Sequence, residues 1–306
     1  MFNEIVNSTI VTTDDRLAET TIKTHQGYLK SYERRIRSLQ EEDLTIPEPF
    51  PVTDPLLRFY IESLKREGTC WATIRCALSA FVYHFAKEGT ADLTKTTAFQ
   101  NYIFTIKRVV GVGVQPNVKQ PVTTTQLNRI TRQCLLDNTN GKRDLALIST
   151  LFFAFLRVSE ALALRRADLT FDEEKVTIQI VESKTDQTKK GIRTYVHRSE
   201  KMYCCYVHLN VYLDEQKMGP DDVVFPFSPQ QVTRILRKRL TQTGVPPHEV
   251  KSYSSHSMRK GGAHEAALRG IPDYVIKVHG RWRSDCCQVY TNINSREAAV
   301  QITLKI

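Results

Sequence analysis

One stretch, GVGVQPNVKQPVTTT at residues 111–125, most constrains how this chain can fold. It contains two glycines, two prolines and a cluster of threonines, and its apolar residues show no clear period. Such a composition interrupts helices and strands and is typical of a linker. Because the chain has 306 residues, it is long enough to bury a separate core on each side. The sequence therefore predicts two domains, residues 1–110 and 123–306, joined by a linker at residues 111–122.

The charge of the chain is distributed unequally around this linker. Residues 1–118 carry 14 basic and 14 acidic side chains, whereas the remaining residues carry 29 and 19. The whole net charge of +10 therefore lies in residues 119–306. A basic excess confined to one domain favours an anionic partner, most simply nucleic acid. A well-solvated basic surface is the alternative interpretation, and charge alone does not separate the two.

Helical signals dominate the part before the linker. The first segment has a capping-type start at Thr13 or Asp14, the second ends at Gly68, and the third ends at Gly89. A fourth segment, DLTKTTAFQNYIFTIKRVV, leads into the linker. Apolar residues at helical spacing indicate a buried stripe along each helix. The sequence predicts a four-helix domain whose aromatic side chains form its core.

The second domain begins with helical patterns, one of which is the long run GKRDLALISTLFFAFLRVSEALALRRADL. The pattern then changes, because KVTIQIVESK alternates and is rich in β-branched residues, and GIRTYVHRS follows a polar turn at Gly191. Helical patterns return after these two segments. The predicted fold is therefore mainly α, with a small antiparallel β-sheet placed early in the second domain.

Several classes of protein are excluded by composition. No apolar run is long enough to span a membrane, and the N-terminus lacks the basic start and apolar stretch of a signal peptide. The seven cysteines are odd in number and lack metal-site spacing. We therefore expect an intracellular protein with reduced thiols, no membrane partner, no metal and no cofactor.

Two pairs of residues in the second domain fit phosphate chemistry. Glu160 follows Arg157 by one helical turn, and Arg259 follows His256 at the same spacing, so each pair is predicted to share a helix face. Arginine presents a rigid fork of donors that matches phosphate oxygens. Two such forks can hold a phosphodiester and stabilise the added charge of its transition state. Lys184, in a polar turn, can protonate a departing alkoxide.

Two aromatic residues complete the candidate set. Tyr290 is a poor nucleophile unless cations or a base assist it, and Trp282 offers an indole N–H as a donor. Singly, each candidate has an ordinary interpretation as a helix-surface residue, a solvated lysine or a core aromatic. Their joint occurrence in one order is what favours a phosphate site.

Further basic residues flank this set. The run RILRKRL at residues 234–240 is predicted to contact DNA phosphates or to form a nuclear-import patch, and the polar face of an amphipathic helix is the alternative. Two arginines beside Trp282 are predicted to add phosphate contacts. The adjacent Gly261 and Gly262 are expected to let their helix approach another backbone closely. The residues predicted to bind DNA are Arg237, Lys238, Arg239, Arg281 and Arg283.

Four stretches between residues 120 and 295 together resemble a known family. They are LRVSEALAL, SKTDQ, HSMRKGGA and WRSDCCQVY, and they resemble the arginine, lysine, His-x-x-Arg and nucleophile boxes of the tyrosine recombinases, or phage integrase family. The order His279-Gly280-Arg281-Trp282, followed by one further residue and then Ser-Asp, is similar to recombinases of eukaryotic mobile elements, namely DIRS-type retrotransposons and cryptons. Residues 14–110 resemble the family's helical DNA-clamping domain by layout alone.

The resemblance implies a role for each residue. Tyr290 would attack a DNA phosphodiester to form a 3′-phosphotyrosyl link, and Lys184 would protonate the leaving 5′ oxygen. Two arginines would hold the phosphate, Glu160 would orient a histidine or arginine, and either His279 or Trp282 would act as a donor, with Trp282 preferred. The implied catalytic set is Arg157, Lys184, His256, Arg259, Trp282 and Tyr290, with Glu160 and His279 in support.

The predicted function is site-specific DNA recombination or integration for a mobile element. The implied partners are double-stranded DNA and further copies of the chain, as dimers or tetramers, and the location is nuclear if the host is eukaryotic. Two alternatives stay open: a type IB topoisomerase-like enzyme, and a non-catalytic DNA-binding protein derived from a recombinase.

Overall fold

The computed structural model describes residues 17–111, 119–137, 139–181 and 191–282. The chain divides into two compact units, Met1–Pro116 and Asn117–Ile306. The predicted positions Lys184, Arg283 and Tyr290 lie outside the described residues, as do residues 112–118 of the predicted linker. The end of that predicted linker belongs to the second unit, because Val122 is fully buried there.

The first unit contains the four helices that the sequence predicts. The second and third are closely followed by Gly68 and Gly89, whose φ angles of 73° and 66° suit glycine just beyond a helix C-terminus. The first helix begins at Glu19, because Ala18 before it is extended, with a ψ of 142°. It therefore does not start at residue 13 or 14, as the sequence predicts; those two residues lie outside the described part of the chain. A short 3₁₀ turn, Leu93–Lys95, precedes the last helix. The helices are α1 (Glu19–Glu42), α2 (Asp54–Arg66), α3 (Trp71–Glu88) and α4 (Thr97–Gly111).

Aromatic rings form the centre of this first unit, as the helical periodicity predicts. Tyr32, Tyr60 and Phe81 are fully buried and meet edge to face, with ring centroids 5.1–5.8 Å apart. Tyr32 donates its hydroxyl to the carbonyl of Pro49 at 2.7 Å, so its polar group is satisfied inside the core. These rings serve packing rather than an exposed stacking surface.

The second unit is a helical assembly around a small sheet. Its largest core is apolar and includes side chains from α6 and from the central strand. Capping boxes begin two of its helices, at Thr123 and Ser228, where the side chain of each residue accepts a backbone N–H three residues later. The helices are α5 (Thr124–Leu136), α6 (Gly141–Phe153), α7 (Val158–Ala163), α8 (Cys205–Gln216), α9 (Pro229–Gln242), α10 (Pro247–Val250), α11 (His256–Leu268) and α12 (Asp273–Gly280).

The sheet has three antiparallel strands in the order β1 (Leu169–Phe171), β2 (Lys175–Ile180) and β3 (Ile192–His197). The two longer strands are those that the alternating pattern predicts. Every second residue of β2 is buried, so one face of the sheet closes the core. Sequence reasoning missed β1, because three residues are too few to show an alternation.

The helical run predicted across residues 141–169 is broken, which corrects that prediction. Helix α6 ends at Phe153, and Phe155 has a φ of 46°. Arg157 is extended, with φ −68° and ψ 150°, and it precedes α7 as the N-cap residue. Glu160 compensates for the break, because its carboxylate accepts the backbone N–H of Arg157 at 2.8 Å.

Two glycines let α11 pass close to other backbone segments, as predicted. A Cβ atom on Gly261 would lie 2.1 Å from the carbonyl oxygen of Val122. A Cβ atom on Gly262 would lie 2.2 Å from the carbonyl oxygen of Phe152. Helix α11 is thereby held between residue 122 and the end of α6, which sets the position of His256 and Arg259.

No helix among the described residues is both long enough and apolar enough to cross a membrane.

Candidate active site

The site is built around the turn that follows α6. The last carbonyl groups of a helix have no partners within the helix and carry partial negative charge, so they attract cations. Here the three successive carbonyls of residues 153–155 face α11 and α12. His279 Nε2 lies 2.7 Å from the first, and Arg281 donates to the second at 3.1 Å. Arg259 and Arg281 both donate to the third, at 2.6 and 2.8 Å.

One buried carboxylate, that of Glu160, contacts three arginines. Arg157 donates to it from Nη1 at 2.5 Å, and Arg281 donates from Nη2 at 3.2 Å. Arg259 Nη1 lies 3.7 Å from the same carboxylate. Burial by itself would raise the pKa of Glu160. Arg281 and Arg157 together lower it by more than burial raises it, so the net shift is downward. Glu160 is therefore ionised and links the two predicted arginine boxes.

Arg259 is held in one orientation from several sides. Its side chain is 4% exposed, and Nη2 donates to the carbonyl of Gly280 at 2.6 Å. The ring of Trp282 lies over the guanidinium, with its centroid 4.6 Å from Cζ. Gly280 makes this stacking possible, because a Cβ there would lie 1.9 Å from the indole ring. The glycine two residues before Trp282 is therefore a steric requirement of the site.

Three arginines around one glutamate give the site a net positive charge, and two histidines lie within its field. His256 is exposed at the start of α11, and desolvation of its ring, Arg259 and Arg157 all lower its pKa. His279 packs edge to face on Phe155, and burial lowers its pKa, with Arg281 and Arg259 adding to the effect. Both imidazoles are therefore neutral at pH 7.

Backbone strain is also concentrated here. Among the described residues, three that are not glycine have positive φ: Phe155 at 46°, Lys217 at 50° and Arg281 at 57°. The first and last of these contact each other through a hydrogen bond. Strained residues persist where the surroundings fix them, and they cluster at functional sites. The strain therefore marks the same place as the cations.

Comparison with known proteins decides the family. The model of the phage integrase family matches residues 120–297, which include every residue of this site. The chain belongs to the phage integrase family. This is the family of tyrosine recombinases that the four sequence motifs resemble.

Two curated relatives of this integrase-family chain have similar sequences. It is 25% identical over 260 residues to a tyrosine recombinase of Pseudothermotoga lettingae, covering 80% of each chain. It is 28% identical over 158 residues to the integrase/recombinase xerD homolog of Selenomonas ruminantium, covering 48% of this chain and 46% of that one. The chain therefore spans less than half the length of the second relative.

Solved structures of recombinases share the fold. The XerH recombinase bound to difH substrate, in a pre-cleavage complex, gives a TM-score of 0.62 at 14% identity, covering 94% of this chain and 79% of that one. The Tn1549 transposon integrase with transposon right end DNA gives 0.59 at 15%, covering 94% and 99%. A lambda integrase dimer bound to a core site gives 0.58 at 15%, covering 96% and 78%. The predicted fold class is confirmed.

Most of the candidate residues of this integrase-family chain come together. His256 and Arg259 share α11, with Arg259 buried against the turn after α6 and His256 within the field of Arg157. Lys184 and Tyr290 lie outside the described residues, so their predicted roles stay predictions. The candidates gathered around the turn are Arg157, Glu160, His256, Arg259, His279 and Trp282.

Two of the arginines predicted to contact DNA have buried side chains in this structure. Arg239 is 1% exposed and donates to Asp144 at 2.6 Å and to Asp137 at 2.7 Å, so it faces the core. Arg281 is 6% exposed and its donors are directed into the site.

The other two described members of the predicted DNA-binding set differ from each other. Arg237 is half-buried and donates to the carbonyls of Tyr253 and Lys251, each at 2.9 Å, which holds the segment before α11. Lys238 is exposed.

Sequence reasoning missed the turn at Phe155 and the place of Arg281 inside the site. Neither phenylalanine nor arginine is a residue that signals a left-handed conformation, so the local sequence gave no indication of either. Glu160 offered a partial signal, since an acidic residue three positions after an extended residue is typical of a helix start. Within the described ranges, no group of three or more His, Cys, Asp or Glu residues is placed to hold a metal ion.

Proposed function

We propose that this protein is a site-specific DNA recombinase or integrase of a mobile element, which cuts and rejoins DNA through a 3′-phosphotyrosyl intermediate on Tyr290. The observation that carries the proposal is the convergence of Arg157 and Arg259 on the carboxylate of Glu160, with His256 within the electrostatic reach of both arginines. This arrangement suits a phosphodiester, because its charge grows in the transition state and fixed cations stabilise that growth. Membership of the family supports the same reaction.

In the proposed step, the Tyr290 oxygen attacks phosphorus and the bond from phosphorus to O5′ breaks. Lys184 gives a proton to the departing O5′, which leaves as a hydroxyl, and the tyrosine proton passes to a base in the site or to water. The phosphotyrosyl bond replaces the phosphodiester bond, so rejoining by a 5′-hydroxyl needs no ATP. His256 is neutral at pH 7 because its pKa is lowered, and a neutral imidazole can accept a hydrogen bond as well as donate one.

The proposed partner is double-stranded DNA. The basic excess of residues 119–306 supplies the electrostatic attraction that phosphates require. The XerH, Tn1549 and lambda proteins described above were all solved with DNA, and the lambda protein as a dimer. Self-assembly of this chain into dimers or tetramers on DNA is proposed by the same analogy. Likeness to a transposon integrase supports the role in a mobile element.

Two finer predictions belong with this proposal. Assignment to the eukaryotic mobile-element branch rests on Gly280-Arg281-Trp282, where the glycine makes room for the indole ring. A nuclear location follows if the host is eukaryotic. Trp282, rather than His279, is proposed as the donor, since His279 Nε2 is already engaged by the carbonyl of Phe153.

Covalent trapping tests the proposal. The protein is incubated with a random-sequence library of nicked duplexes from which the cleaved end can diffuse away, and the products are separated on denaturing gels. We expect a shifted protein–DNA species with the natural chain and with Tyr274→Phe, a variant of a tyrosine that is 70% exposed on α12. The species should be absent with Tyr290→Phe. Sequencing its DNA should reveal an enriched site.

Other outcomes of the trapping experiment separate the alternatives. An adduct on Tyr290 without sequence enrichment would favour a type IB topoisomerase-like enzyme. A folded protein that binds DNA selectively but forms no adduct would contradict the enzyme proposal and favour a non-catalytic DNA-binding protein.

A further inference from the structure

We propose that Arg281 is a positioning residue of this site. It fixes Arg157 and Arg259 for the phosphate by holding the carboxylate of Glu160, which both contact, and the carbonyl of Phe155, which Arg259 contacts. The inference rests on the proposed function, because it assigns a role within the same reaction. It replaces the prediction from sequence that Arg281 contacts DNA phosphates directly.

The contacts of Arg281 all point into the protein. Its Nη1 donates to the carbonyls of Ala154 and His279, at 3.1 and 2.9 Å. Its Nη2 donates to the carbonyl of Phe155 at 2.8 Å and to the carboxylate of Glu160 at 3.2 Å. One planar fork therefore ties the turn after α6, the end of α12 and the start of α7 together. Lysine cannot replace it, because an ammonium is a point donor without this fork geometry.

Two acceptors are shared between Arg281 and Arg259. The carbonyl oxygen of Phe155 lies 2.8 Å from Arg281 Nη2 and 2.6 Å from Arg259 Nη1. Glu160 Oε2 lies 3.2 Å from Arg281 Nη2 and 3.7 Å from Arg259 Nη1. The same Oε2 accepts the backbone N–H of Arg157 at 2.8 Å. A displacement of Arg281 therefore moves groups that orient both of the proposed phosphate-binding arginines.

The backbone of Arg281 supports a specific role for its side chain. Its φ of 57° lies in the left-handed region, and it ends α12 at a position where glycine is usual. Phe155, its hydrogen-bonded partner, is also left-handed, with a φ of 46°. A side chain is tolerated at such positions when the surrounding contacts fix it. The contact between Phe155 and Arg281 therefore holds two strained residues in place at once.

Electrostatics agree with this geometry. Burial lowers the pKa of Arg281, while the carboxylate of Glu160 opposes that change. In return, the charge of Arg281 is the largest single effect that lowers the pKa of Glu160, followed by the hydrogen bonds and charge of Arg157. The pair keeps an ionised carboxylate beneath the two phosphate-binding arginines.

The test compares Arg281→Lys and Arg281→Met with a matched control, Arg166→Lys. Arg166 also donates to a backbone carbonyl, that of Leu169 at 2.9 Å, and lies near an aromatic ring, but it belongs to the segment before β1. Adduct formation is measured in single turnovers with excess enzyme on a nicked duplex, and binding to the uncut duplex is measured separately. We expect Arg281→Lys to slow adduct formation at least about tenfold, with DNA affinity within about twofold of the natural chain and Arg166→Lys unchanged.

A double-mutant cycle with Glu160→Gln separates positioning from general destabilisation. If Arg281 acts through Glu160, the double variant should be no slower than the slower single variant. Additive losses, or an Arg281→Lys rate equal to that of the natural chain, would overturn the inference. A fall in the rate of adduct formation that equals the unfolded fraction of each variant would also overturn the inference.

A second readout does not depend on catalysis. The carboxyl of Glu160 is titrated by ¹³C NMR, assigned with Glu160→Gln, in the natural chain and in Arg281→Met. The inference expects a higher Glu160 pKa in the variant, and an unchanged pKa would overturn it. If the natural chain forms no adduct, the proposed function fails, and this titration still decides whether Arg281 controls Glu160.

Discussion

Two clusters of charged residues in the second unit differ in the sign of the charge at their centre. In the first, two aspartates surround Arg239: Asp144 is 1% exposed, Asp137 contacts the same guanidinium, and Arg143 adds a second cation to Asp144 at 2.8 Å. In the second, three arginines surround one glutamate, Glu160.

The difference shows in the groups that each cluster influences. The pKa of Asp137 is held at about 2, first by backbone N–H groups and then by Arg239. Around Glu160, by contrast, burial lowers the pKa of two histidines and the arginines lower it further. The first cluster joins α5, α6 and α9 in the core, whereas the second presents a positive field beside an exposed histidine. Buried arginine alone therefore does not indicate a phosphate site, and its surroundings decide.

The largest expected effect is on stability, from Arg239→Met. Removing one partner of a buried ion pair costs about 3–5 kcal/mol, and Arg143, which stays beside Asp144, places the expected loss at the lower end of that range. We expect the free energy of unfolding in urea to fall by that amount, while adduct formation per folded molecule stays unchanged. A loss below about 1 kcal/mol would show that the first cluster is not what holds these helices together.

Arg259→Met should have the complementary effect. Loss of a fixed cation at a transition state costs about 10²–10³-fold in rate, so single-turnover adduct formation should fall by that factor. Any fall in urea stability should be smaller than that of Arg239→Met, because carbonyl groups rather than a second carboxylate accept most of its hydrogen bonds. Equal rates for the two variants would remove the distinction between the clusters.

The acid dependence of stability tests the first cluster. Asp137 has a folded pKa of about 2 and an ordinary value of 3.8. A lowered pKa stabilises the folded state above the ordinary value, and this contribution is lost as the pH falls from about 4 to about 2. We therefore expect Asp137→Asn to flatten the pH dependence of the unfolding free energy in that window. Urea titrations at several pH values measure this, and an unchanged slope would contradict it.

The smallest effect should come from Lys238→Gln, next to the buried Arg239. Lys238 is exposed, and a single phosphate contact changes affinity modestly and the salt slope of log K by about 1. We expect a several-fold loss of affinity for any duplex at low salt, measured by fluorescence anisotropy. Lys201→Gln, also exposed in the second unit, is the control. Equal losses for both variants would indicate a diffuse field rather than a contact at Lys238.

The predictions that held were those set by local spacing. His256 and Arg259 lie on one helix, as predicted. Within a helix, a separation of three residues places two side chains on the same face. Gly261 and Gly262 predicted a close approach of α11 to other backbone segments, because glycine weakens a helix interior unless the space of a Cβ is needed. The structure shows this approach at Val122 and Phe152. Strands β2 and β3 followed from alternation. In each case, a few neighbouring residues carry all the information that the feature needs.

The sequence by itself determined the mainly helical fold with its small sheet and the identity of most residues that meet at the site. Tertiary structure alone decided that Phe155 turns left-handed, that Arg239 enters the core and that Arg281 faces Glu160. The physical reason is that an arginine has the same chemistry wherever it lies. Its role depends on acceptors such as Asp144 and Glu160, which lie 95 and 121 residues away along the chain.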